Sequence, residues 1–168
     1  MTAARHIILA LLLILAQAAI DNYVNMTVYL DIALCLYIVL TLPPRWGAIP
    51  SMIVGFAVGI TVDVLGNGII GMSAAAMTAV ALCRKTVFRI AAPREKEKRQ
   101  DIGTMGLRNF ILYTLPLTLV YLLVYILLDS SGFRPAGQNL IRTGISLAAN
   151  TAIMGFLYAI TSDNGRRK

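Results

Sequence analysis

Residues 46–83 read WGAIPSMIVGFAVGITVDVLGNGIIGMSAAAMTAVALC, thirty-eight positions with one charged residue, Asp63. Two continuous apolar runs flank a Gly66-Asn67-Gly68 turn, which predicts helices over Gly47–Leu65 and Gly68–Cys83, each near the roughly 20 residues that cross a bilayer. Strands of a membrane β-barrel alternate in polarity and run to about ten residues, so a barrel is excluded. Working outward, the same reading gives four more helices: Ala4–Ile20, Thr27–Leu42, Asn109–Leu128 and Leu140–Thr161. Asp21-Asn22, Pro43-Pro44 and the polar run Asp129–Gln138 separate them. The predicted fold is an all-α integral membrane protein with six transmembrane helices. It forms a single membrane domain over residues 1–168, with a four-helix half (1–83), a basic cytoplasmic loop (84–108) and a two-helix half with a basic tail (109–168).

Composition supports lipid as the solvent. Of the 168 residues 58% are hydrophobic and only 14% charged, against roughly 25% charged in a soluble domain; mean hydropathy is +0.74. Six spans leave no room for a large extramembrane catalytic domain. The net charge of +7 does not point to nucleic acid, which needs a basic face on a soluble surface. It reads as a topology signal instead. Thirteen of the fifteen bases fall on one side of a six-span chain: Arg5, Arg45, the eight between Arg84 and Arg108, and Arg166-Arg167-Lys168. That side is expected to be the cytoplasm, with both termini in it, while Arg134 and Arg142 lie outside. Arg5, the apolar run after it and Ala16-Gln17-Ala18 also fit a secretory signal peptide; retention as a first span is the expectation. The run Arg94–Asp101 suits a solvated linker or an interfacial segment attracted to anionic headgroups.

The third helix carries the sharpest pattern. Gly55, Gly59 and Asp63 recur every four residues and share one stripe, the glycines permitting close approach of a neighbour. Matching small-residue stripes are Gly71, Ala75 and Ala79 on the fourth helix, and Gly144, Ala148 and Ala152 on the sixth. An intramembrane carboxylate needs a partner or a pathway. Arg142 lies at a similar depth, so an Asp63–Arg142 pair with Asp31 nearby is expected; proton relay through Asp31 and Asp63 is the alternative. His6 is the only histidine, and there is no P-loop, GxSxG or CxxC. No catalytic set, metal or other cofactor is therefore expected. Cys35 and Cys83 read as packing residues. Pro116 is expected to kink the fifth helix, with Thr114 and Thr118 bonding the freed carbonyls.

Arg45-Trp46-Gly47, then Gly55-Phe56, Gly59, Asp63-Val64, Gly71-Met72 and Ala74–Ala76 resemble the central signature of the rod shape-determining membrane protein MreD family. The likeness extends over about Val24–Arg89. It implies a non-enzymatic scaffold of the bacterial cell-elongation machinery in the inner membrane. Such a protein binds MreC and, through it, meets the MreB filament and the wall-synthesising glycosyltransferase and transpeptidase. The family is similar in fold to the substrate-binding subunits of energy-coupling-factor vitamin transporters, which supplies the second functional reading. Those subunits tend to carry Ala-x3-Ala in their first helix. Here Ala10, Ala16, Ala18 and Ala19 lack that spacing.

Overall fold

The computed structural model describes residues 3–23, 30–43, 46–66, 69–91, 106–130 and 136–166. These form six helices: α1 (Ala3–Tyr23), α2 (Leu36–Leu40), α3 (Ala48–Leu65), α4 (Met72–Ala91), α5 (Leu107–Ser130) and α6 (Ala136–Arg166). Three of them, α3, α5 and α6, contain apolar windows long enough to cross a membrane, and α1 has a shorter one over His6–Asn22. Several long apolar helices make the chain a multi-pass membrane protein.

Helices α3, α4, α5 and α6 pack successively as neighbours, with α1 against α3 and α2 against α3 and α4. The core runs through the middle of this array. Leu36, Leu40, Met77, Val80, Leu117 and Leu122 are wholly enclosed in it, and an aromatic cluster joins four helices toward one end. Phe110 stacks on Tyr158 at 4.1 Å between ring centroids, and Tyr37 meets Phe110 edge-on, as Phe88 meets Tyr113. Large side chains such as Ile49 (73% exposed), Ile53 (64%) and Leu15 (67%) face outward. In water such a surface would drive association, and in lipid it is the ordinary exterior.

Two elements depart from expectation. The helix expected over Thr27–Leu42 is reduced to α2, five residues long, and residues 30–33 are not helical; positions 24–29 lie outside the described residues. Hydropathy reads only how apolar a segment is. What unwinds this one is polar: side chains of α1 and α6 bond its peptide groups, as described below. The fourth helix does not stop at Cys83 but continues to Ala91, so Arg84, Lys85 and Arg89 are helical residues rather than loop. Its apolar part, Met72–Cys83, rises only about 18 Å. Residues 92–105 of the expected loop lie outside the described residues. Helix α5 runs unbroken across Pro116, and the hydroxyls of Thr114 and Thr118 are buried without a hydrogen-bond partner instead of bonding freed carbonyls.

Candidate functional site

Gly55, Gly59 and Asp63 are all buried and all face α4. At Gly59 the helices touch backbone to backbone: a Cβ there would lie 2.4 Å from the Cα and 2.6 Å from the N of Ala74. At Gly55 a Cβ would lie 2.9 Å from the carbonyl oxygen of Met77 and 3.4 Å from the Cβ of Ala81. The receiving stripe on α4 is thus Ala74, Met77 and Ala81. It is not Gly71, Ala75 and Ala79, because Ala75 is exposed and Ala79 half-buried. Gly71 has a different use. Its φ of +104° is a conformation that only glycine adopts readily, and it turns the chain into α4.

Asp63 does not pair with Arg142. Its Oδ2 accepts the N–H groups of Gly71 (2.8 Å) and Ala74 (3.3 Å), and its Oδ1 accepts that of Ser73 (3.1 Å). The first N–H groups of a helix lack partners within it and carry the positive end of the helix dipole. One carboxylate from α3 therefore caps α4, one turn beyond the contact that the glycines permit. Asp63→Asn keeps the shape but turns one acceptor oxygen into a donor facing N–H groups. It should lower stability by about 1–3 kcal/mol, read as an earlier melting transition in detergent.

Arg142 instead joins two acids. Its Nε donates to Asp31 Oδ2 at 2.6 Å and its Nη2 to Asp31 Oδ1 at 2.7 Å, a two-point grip on one carboxylate, while Nη1 reaches Asp129 Oδ2 at the end of α5. Both side chains of the Arg142–Asp31 pair are largely buried.

Around this pair the unwound segment is locked in place. Asp31 N–H donates to Ser146 Oγ (2.9 Å), Ala33 N–H to Asn150 Oδ1 (2.8 Å) and Leu34 N–H to Gln17 Oε1 (2.7 Å). Asn150 Nδ2 returns to the carbonyl of Asp31 and Gln17 Nε2 to that of Ile32. Non-helical backbone within a membrane domain is tolerated where protein groups replace the missing hydrogen bonds, and these three side chains do so. The sequence reading missed Gln17, Ser146 and Asn150. A signal for the last two was available, since Arg142, Ser146 and Asn150 recur every four residues on α6.

At the opposite end stands a second buried cation that the sequence reading assigned to a loop. Arg84, only 3% exposed, donates to the carbonyls of Leu42 and Pro43 and, at 3.0 Å, to Ser51 Oγ. Pro43 O also accepts the Trp46 N–H at 3.0 Å. Arg84 thereby pins the turn between α2 and α3 to α4. The charges whose side chains are placed divide by end: Asp21, Asp31, Asp63, Asp129 and Arg142 at one, Arg84, Lys85, Arg89 and Arg108 at the other.

Among the described residues no group of three or more His, Cys, Asp or Glu side chains is arranged to hold a metal ion. No known protein family, curated protein or solved structure matches this chain.

Proposed function

We propose that the chain is a six-span scaffold of the bacterial cell-elongation machinery, MreD-like, acting in the inner membrane by binding MreC and performing no chemistry itself. The observation that carries this reading is the α3–α4 clamp. Five of the residues on which the resemblance rests, Gly55, Gly59, Asp63, Gly71 and Ala74, meet in one contact, and the carboxylate among them spends both oxygens on backbone N–H groups. A carboxylate held this way organises helices.

The charge division along the bundle supports an orientation with both termini in the cytoplasm, because the basic end then faces inward. A docking surface is at hand on α6. Gly144, Ala148 and Ala152 are exposed, and a Cβ at Gly144 would meet no atom within 4 Å. A transmembrane helix of MreC would pack there through close backbone approach.

Depleting the protein should make a rod-shaped host round up. A cysteine at Ala148, in a chain lacking Cys35 and Cys83, should cross-link to a cysteine in the MreC span. Unaltered shape on depletion together with lost uptake of a vitamin would replace this reading with that of an energy-coupling-factor substrate-binding subunit.

A further inference from the structure

Helix α4 presents one outward stripe, half-buried at Thr78 and Ala79 and otherwise exposed, whose chemistry changes along its length. Its other side is committed: Ala74, Met77, Ala81, Arg84 and Phe88 are buried. Outward face Ala75, Leu82, Lys85, Thr86, Arg89 and Ile90, at the i, i+3, i+4, i+7 spacing of a single helical face. Up to Leu82 (54% exposed) the stripe is apolar; at Lys85 and Arg89 it becomes doubly basic, with Ile90 (74% exposed) beside them.

Lys85 and Arg89 stand one turn apart, with Cβ atoms separated by roughly 5–6 Å, close enough to bracket one phosphate. Every Asp whose side chain is placed lies at the other end of the bundle. Helix propensity and packing do not require bases here.

We propose that this stripe holds one anionic phospholipid of the phosphatidylglycerol type. Its acyl chain lies along Ala75–Leu82 and its phosphate sits between Lys85 and Arg89. The match is in order as well as in kind. From the bundle's middle toward the end of α4, the helix offers apolar surface, then an ammonium, a hydroxyl (Thr86) and a guanidinium, as a lipid offers chain and then phosphate. Guanidinium groups bind phosphate oxygens through paired N–H donors. A zwitterionic headgroup would bring its own cation against two more, so the site favours the anionic lipid. Arg84, one residue away, contributes the buried anchor that fixes this end of α4 to the Pro43–Trp46 turn. That turn carries the chain's single tryptophan, a residue type enriched at the headgroup level. The proposal depends on the membrane setting and stands whether or not MreC is the partner.

The test is native mass spectrometry of the full chain in mild detergent, titrated with phosphatidylglycerol or phosphatidylcholine of identical acyl chains. The wild type should retain phosphatidylglycerol in preference. K85Q/R89Q should bind it about thirtyfold more weakly, roughly fivefold for each base removed. R89K, which keeps the charge, should stay within a few-fold of wild type. R166Q/R167Q, which removes the same charge from the tail, should bind as the wild type does. Both stripe positions are exposed, so helicity by circular dichroism should be unchanged in every variant. Equal binding of phosphatidylglycerol by K85Q/R89Q and wild type would overturn the proposal. So would an equal loss in R166Q/R167Q, which would reveal general charge attraction, or a stripe occupied by an acidic protein in place of lipid.

Discussion

Arg142→Ala should be the most damaging single charge deletion in the chain, costing on the order of 3–5 kcal/mol, because it leaves the largely buried Asp31 carboxylate without its two-point partner. Two acids lose a partner at once, Asp31 its two-point grip and Asp129 its contact at the end of α5. Asp31→Asn should cost less, since Arg142 keeps Asp129. The two changes combined should fall short of the sum of the singles by about 1–3 kcal/mol, as contacting residues do. Asp63→Asn, whose partners are the N–H groups of Gly71, Ser73 and Ala74, should add to Arg142→Ala within about 0.5 kcal/mol. Melting of the purified variants in one detergent gives all of these values. Additivity of Asp31 with Arg142 would dismiss the pair, and coupling of Asp63 to Arg142 would restore the arrangement expected from sequence.

Glycine-to-alanine changes should produce an ordering as steep. At Gly59 the new methyl meets Ala74 Cα at 2.4 Å and the carbonyl carbon of Ser73 at 2.8 Å. Both are backbone atoms, so no rotamer change relieves the clash and the helices must part. That also draws Asp63 away from the start of α4. The loss should reach or exceed the ~3 kcal/mol at the upper end of ordinary overpacking. Gly55→Ala meets a carbonyl oxygen at 2.9 Å and should be milder. Gly144→Ala meets nothing within 4 Å and should leave stability of the isolated chain unchanged. The yield of monodisperse protein ranks the three, and a Gly59→Ala chain as stable as Gly144→Ala would contradict the close contact.

The helical class and the α3–α4 glycine pattern were legible because both depend on local spacing. An apolar run bounded by turn residues is a helix in lipid where no neighbouring side chain bonds its peptide groups, and on such a helix Gly55-x3-Gly59-x3-Asp63 forms a stripe. What sequence could not decide was which face of the partner helix receives that stripe. On α6 the small residues Gly144, Ala148 and Ala152 and the polar residues Arg142, Ser146 and Asn150 both recur every four positions. The two sets are offset by two residues, or about 200° around the helix. Small-residue spacing favoured the first set for packing within the bundle, yet the second set is the one turned inward. Burying a polar group is costly unless it is hydrogen-bonded, and the unwound backbone of residues 31–34 supplies those bonds. Reading that segment as a helix hid the demand and so hid the side chains that meet it. Arg84 was misassigned for a related reason. By sequence a cation ends a span, whereas the carbonyls of Leu42 and Pro43 receive this one inside the protein.

The lock on residues 31–34 has a consequence for how the chain comes into being. Gln17 on α1 precedes the segment, but the other donors and acceptors that replace its lost helical bonds lie far along the sequence: Ser146 is 115 residues beyond Asp31, and Asn150 is 117 beyond Ala33. A ribosome extending the chain from its N-terminus delivers this segment to the membrane well before the helix that completes it exists. Until α6 arrives, the early segment must satisfy its peptide groups by coiling on itself or by staying near water. The native unwound form is then a late event, imposed when the last helix docks. Quality control that senses exposed polar backbone in the bilayer would distinguish a finished molecule from one whose final helix is absent or misplaced, although every apolar stretch before it had already been inserted.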